Sequence, residues 1–189
     1  MKKTIAVLLF VLIGVCLYAQ TFTWDFKFVN KKTQESLSFP KNIKMEAGQH
    51  FNVSFMPASD CFCYIISYDS NKKISVLYDA PLTKEKNINF DLEKSEEFSG
   101  TETLYLIMSL SRQIKLENSI KNYKNNPDSR SSAESLYKEV VALQKEASKL
   151  GEPASAFISG GGTTRGSSQE FVTRFSGKDM YVRTISIRH

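Results

Sequence analysis

Thr21-Phe22-Thr23-Trp24-Asp25-Phe26-Lys27-Phe28-Val29 is the stretch that decides the fold class. Phe22, Trp24, Phe26 and Phe28 occupy every second position, with Thr23, Asp25 and Lys27 between them. Successive side chains of a strand point to opposite faces, so this alternation describes a half-buried strand with one apolar and one polar face. The pattern returns in Phe51, Val53 and Phe55, led in by Glu46-Ala47-Gly48 and stopped by Pro57, and again in Ile88, Phe90 and Leu92. Asn30 and the four residues after it read as a polar turn.

Two further segments carry apolar residues on both faces. In residues 61–68, Phe62, Tyr64, Ile66 and Tyr68 stand against Cys61, Cys63 and Ile65. In residues 103–108 the run is Leu104, Tyr105, Leu106, Ile107. A strand apolar on both faces belongs at the centre of a sheet covered on both sides. Asp69-Ser70-Asn71-Lys72-Lys73 is a turn cluster, and residues 74–78 then form the return arm of an antiparallel hairpin. Residues 171–175 and 180–187 flank Ser176-Gly177-Lys178-Asp179 and predict a second hairpin. The expected architecture is mainly β, an antiparallel β-sandwich.

Between these β halves the apolar period changes. Ala133, Leu136, Val140, Leu143, Ala147 and Leu150 follow three-four spacing and form one helical stripe. Ser131 and Glu134 have capping-box spacing, Gly151 suits the position just past the helix, and Pro153 forbids continuation. Ile114, Leu116, Ile120 and Tyr123 predict a helix before it, with Asn125-Asn126-Pro127-Asp128 as the break. The result is an α-helical hairpin inserted at about residues 111–153. The stripe is shorter than a committed coiled coil, so docking on the sheet is expected rather than pairing with a partner helix.

Upstream, Lys2 and Lys3 precede an apolar run from Ile5 to Tyr18, closed by Ala19-Gln20. A positive start, a short apolar core and a small residue before cleavage are the layout of a secretory signal peptide. The run is shorter than the roughly 20 residues a spanning helix needs. Cleavage is expected between Ala19 and Gln20, leaving a single domain over residues 20–189, exported to the periplasm or cell surface. Cys16 follows Leu12-Ile13-Gly14-Val15, but Val15 is larger than a lipobox favours, so a lipid anchor is the lesser alternative and membrane attachment depends on it. Loss of Lys2 and Lys3 lowers the net charge from +5 to about +3, and the basic residues are scattered among acids. That pattern argues against a nucleic-acid partner.

Chemistry is hard to find. Cys61 and Cys63 lie two apart, at the outer limit of disulfide geometry for one strand, and read as small core side chains. Only His50 and His189 could join them around a metal, and no ligand spacing is present. A Cys63–His50 thiolate–imidazole pair would need an exposed cysteine and a third group to orient the ring. Gly160-Gly161-Gly162-Thr163-Thr164-Arg165-Gly166-Ser167-Ser168 lacks the lysine and the following helix of a phosphate-binding loop and reads as a connection. The Phe22, Trp24 and Phe26 stripe would serve a glycan only if exposed. No catalytic, cofactor-binding or metal residue is therefore assigned.

Three blocks carry a family resemblance. Glu46-Ala47-Gly48 with Phe51-Asn52-Val53-Ser54-Phe55 is the first, and Tyr64-Ile65-Ile66-Ser67-Tyr68-Asp69 with Lys73-Ile74-Ser75-Val76-Leu77-Tyr78 and Pro81 is the second. Gly100-Thr101-Glu102-Thr103-Leu104-Tyr105-Leu106-Ile107-Met108-Ser109 is the third. Together, over about residues 45–110, they resemble a bacterial exported family known as domain of unknown function (number 4384). The helical stretch 111–153 departs from that compact domain and looks like an insertion. The resemblance implies an accessory or binding role in the envelope, beside a partner such as an exported protease, without catalysis of its own. The alternative class is a glycan-binding domain or a small exported hydrolase with a pocket near residues 159–168.

Overall fold

The computed structural model describes residues 21–46, 49–93, 100–151, 154–159 and 171–189. In chain order the strands before the helices are β1 (Thr21–Asn30), β2 (Ser36–Leu37), β3 (Asn42–Lys44), β4 (His50–Pro57), β5 (Cys61–Asp69), β6 (Ile74–Leu82), β7 (Ile88–Glu93) and β8 (Thr101–Ser109). Helices α1 (Ile114–Asn125) and α2 (Arg130–Lys149) follow, then β9 (Ala154–Ser159), β10 (Phe171–Lys178) and β11 (Met180–Arg188). The expected signal segment, with Cys16, Ala19 and Gln20, and the 160–168 loop lie outside the described residues.

The strands form two sheets. The first has the order β7-β4-β1-β10-β9, with β2 also paired to β1, and the second has the order β3-β11-β8-β5-β6. Pairing is antiparallel throughout except for β3, which runs parallel to β11. The sandwich core is the alternation of β1 made physical. Phe22, Trp24, Phe26 and Phe28 are buried against residues of both sheets, including Leu104, Leu106, Met108, Tyr181 and Ile185. The Trp24 ring sits 4.5 Å from Tyr181 across the interface and 5.7 Å from Phe175 within its own sheet.

The double-faced strands are explained by a third layer. Cys61, Cys63 and Ile65 of β5 face the first sheet, while Tyr64 and Ile66 face the helices. β8 does the same, with Leu104, Leu106 and Met108 inward and Tyr105 and Ile107 outward. Leu116 and Ile120 of α1 and Leu136, Val140, Leu143 and Ala147 of α2 cover that outer face. The helical stripe therefore docks on a sheet, as its length predicts. Ile114 and Leu150 fall at the ends of their helices, past the edge of the covered face, and remain exposed.

Two local expectations are corrected. The α2 cap is Ser129, not Ser131: the Ser129 hydroxyl accepts from Ser132 N at 3.3 Å, and Glu134 pairs with Arg130 at 2.8 Å. The turn through Pro127-Asp128 closes with Ser129 N donating to Asn126 O at 3.1 Å, so an extended Ser129 is already positioned to cap. Gly151 does adopt the left-handed conformation past the C-terminus, at φ +91°.

β10 and β11 are also not a hairpin. β10 joins β1 and β9 in the first sheet, while β11 joins β8 and β3 in the second. The chain crosses the sandwich at Asp179, whose φ is 51° and whose carbonyl accepts from Leu110 N at 2.8 Å. A tight polar corner turns the chain but does not choose its sheet. That choice follows from the free edges β1 and β8 offer and from the rings of Phe175 and Tyr181 meeting from opposite sides of the core.

Candidate functional site

The helical insertion is fastened to the second sheet by polar contacts as well as by packing. The Tyr64 hydroxyl donates to Glu117 Oε1 at 2.7 Å and accepts from Gln113 N at 3.2 Å, where α1 begins. Arg112 forms a fork on the same Glu117 carboxylate. That guanidinium holds Glu117 below the usual carboxylate range, while burial pushes the Tyr64 phenol well up. The Tyr64 hydroxyl thus anchors the start of α1 to β5. At the other end of α1, the Tyr123 hydroxyl donates to Ile74 O at 2.6 Å and Lys124 reaches Asp79 at 2.7 Å.

These contacts bring the N-terminal turn of α2 beside the β5–β6 turn and leave a groove of about 520 Å³ between them. Its aromatic wall is Tyr68 stacked on Tyr137, with centroids 4.0 Å apart and planes 16° apart. Tyr105 meets Tyr137 edge-on at 6.5 Å from beneath. The rim carries Lys72, Lys73, Arg130 and Lys138 against Asp128 and Glu134. Arg130 bonds Glu134 and holds it below its ordinary value, with Lys138 and Lys72 adding to the effect. The turn that presents the lysines is itself braced by hydrogen bonds. Asp69 Oδ1 accepts from Asn71 N at 2.9 Å and Lys73 N at 2.8 Å, and Lys72 occupies the left-handed region at φ 64°.

Chemically, this groove offers fixed tyrosine faces and a mixed, cation-rich rim. Among the described residues it is lined by neither histidine nor cysteine, and the Ser129 hydroxyl caps α2. Among the described residues no group of three or more His, Cys, Asp or Glu is placed to hold a metal ion. The arrangement suits recognition of a surface that brings aromatic or acidic groups.

The residues weighed from sequence are placed elsewhere. Cys61 and Cys63 are free and buried in the sandwich core, where burial pushes the Cys61 thiol up to about 11 and the Cys63 thiol well above its ordinary range. His50 stands at the start of β4, beside Glu93 at 3.4 Å, in the opposite sheet from Cys63. The two are not brought together as a thiolate–imidazole pair. His189, at the chain end, lies 3.4 Å from Glu102. Phe22, Trp24 and Phe26 are core residues, so their stripe is not a surface platform. The sequence placed Tyr68 in an apolar strand but marked neither it nor Tyr137 as a site residue. Tyr137 adjoins Leu136 at the margin of the α2 stripe, and an aromatic at a stripe margin is the signal that could have marked it.

No protein-family model matches the chain, and neither a curated protein nor a solved structure is significantly similar to it.

Proposed function

We propose that this chain is an exported, non-catalytic accessory module that docks another envelope protein through the groove between α2 and the β5–β6 turn. The observation that carries the reading is the stacked Tyr68–Tyr137 pair under a cationic rim, held between a hydrogen-bonded turn and the start of α2. The signal-like segment at residues 1–19 supports export, and the resemblance of residues 45–110 to the exported family supports an accessory role.

The test is crosslinking in the native envelope with a photoreactive residue replacing Lys138, followed by mass spectrometry of the captured species. One stoichiometric envelope protein, lost in the Lys72→Glu/Arg130→Glu variant, is expected. Capture of glycan alone, or capture indifferent to that charge reversal, overturns the docking surface. N-terminal sequencing of the same protein reads the export step: a start at Gln20 is expected, and an acylated Cys16 overturns the free form.

A further inference from the structure

β11 places a cation in an apolar register. Tyr181, Arg183, Ile185 and Ile187 share one strand face, and the other three are buried in the core between the sheets. The Arg183 guanidinium lies 5.5 Å from the Phe39 ring, 5.4 Å from Phe175 and 5.7 Å from Tyr181. Its Nε is buried and has no hydrogen-bond partner among the described residues. Arg183 as a whole is only partly buried, but an Nε–H donor shut away without an acceptor is costly. Three aromatic faces offset part of that cost but satisfy no N–H donor.

The cation fronts a cleft of about 260 Å³, which Lys41 and the hydroxyl residues Ser38, Ser155 and Thr173 also line. Among the described residues no Asp or Glu lines it, nor a second cleft of about 550 Å³ that Arg183 and Lys41 also line. Thr173 Oγ1 accepts from Phe39 N at 3.4 Å, which leaves its hydroxyl hydrogen to donate. We propose that this cleft binds a carboxylate carried on a peptide, either an acidic side chain or a chain terminus. The guanidinium and Lys41 supply charge, Thr173 supplies a hydroxyl donor, and the half-buried Phe39 ring receives the attached aliphatic carbons. A phosphate fits less well, since it draws on clustered backbone N–H donors and the nearby Phe39 N–H is already spent on Thr173. The cleft lies on the β3–β11 side of the sandwich and is independent of the groove at the β5–β6 turn.

Trp24 is the only tryptophan of the chain and contacts both Tyr181 and Phe175, two of the three rings around Arg183. Its fluorescence therefore reports the cleft. The protein recovered from expression of the full chain is titrated with N-acetyl-Ala-Glu-amide, N-acetyl-Ala-Ala, N-acetyl-Ala-Gln-amide and inorganic phosphate. Saturable binding of the first or second peptide is expected, and which of them binds distinguishes side-chain from terminal carboxylate. Arg183→Met weakens that binding at least about tenfold, the loss of a charged hydrogen-bonded contact. Equal binding of the Gln peptide, tighter binding of phosphate, no saturation with either carboxylate, or unchanged affinity in Arg183→Met overturns the proposal. Should Arg183→Met fail to fold, Arg183→Lys decides: it keeps the charge but loses the fork, so unchanged affinity overturns the site and several-fold weakening supports it.

Discussion

The outer face of the first sheet carries Thr23, Asp25 and Arg174, whereas the outer face of the second carries Tyr64, Ile66, Tyr105 and Ile107. On the first, the solvent-facing groups satisfy one another: Arg174 forks onto Asp25 at 2.6 and 2.7 Å, and Asp91 accepts from Lys31 and Asn52, each at 2.9 Å. On the second, apolar side chains are buried as deeply as in the sandwich itself, but by helices rather than by strands. Two sheets of one sandwich thus use opposite means to finish an outer face. The helical insertion completes a core and is more than an ornament on a finished domain.

Replacing residues 112–150 with a short linker breaks this comparison most severely. Tyr64, Ile66, Tyr105 and Ile107 would lose their cover along with six buried helix residues. At about 1.5–3 kcal/mol per large side chain, the loss rivals the whole 5–15 kcal/mol stability of an ordinary domain. No soluble folded protein is expected. A soluble product with a cooperative melt and native strand circular dichroism would mean the two faces are alike after all.

Single truncations sharpen the point. Trp24→Ala in the inter-sheet core is expected to cost about 3–5 kcal/mol, and Leu136→Ala under the second sheet about 2–5 kcal/mol. Urea denaturation measures both. A Leu136→Ala cost near zero would return the helices to the status of a loosely attached appendage.

The inner face of the second sheet has its own signature in alkali. Burial raises the Cys61 thiol from 9.0 to about 11 and also pushes the Cys63 thiol well above its ordinary range. Each thiol stays protonated in the fold at a pH where the unfolded chain has released the proton. Stability is therefore full below the unfolded thiol range and falls as the pH climbs from 9 through about 11. The melting temperature should drop across that window, and the drop should shrink in a Cys61→Ala/Cys63→Ala variant. An equal drop in both proteins would remove the thiols as its cause.

Smaller effects separate anchors from decoration. Tyr64→Phe removes the hydroxyl that joins Glu117 to Gln113 N, and about 1–2 kcal/mol should go with it. Arg174→Ala, on the open face of the first sheet, should cost no more than about 1 kcal/mol, because exposed ion pairs are screened by water and salt. If Arg174→Ala proves the costlier in denaturant, the contrast between fastened and open faces fails.

Much of this organisation was legible in the chain. The alternation of β1, β4 and β7 puts the apolar positions inside or half inside, with Ser54 the buried polar exception, and the doubly apolar β5 and β8 announced a strand covered on both sides. Short pieces were not legible. β2 and β3 span two and three residues, too few to display a period, and β9 lies outside every strong alternation. The groove was hidden for another reason: Tyr68 and Tyr137 are far apart in the chain and meet only because α2 docks across β5. Arg183 left a visible trace as the one charge in the Tyr181–Ile187 register, yet two of its three aromatic neighbours, Phe39 and Phe175, come from other stretches of sequence.

The residues alone determined which segments are strands or helices and which face of each must leave water, since backbone periodicity converts directly into sidedness. They also determined the length of the α2 stripe and the glycine that ends it. Only the tertiary structure decided that β10 and β11 enter different sheets, that β3 runs parallel to β11, and that the helices supply the third layer. Periodicity states that a face must be covered but not by what, because burial of apolar surface has no direction. The partner is chosen by which edges and faces remain open once every other element has packed.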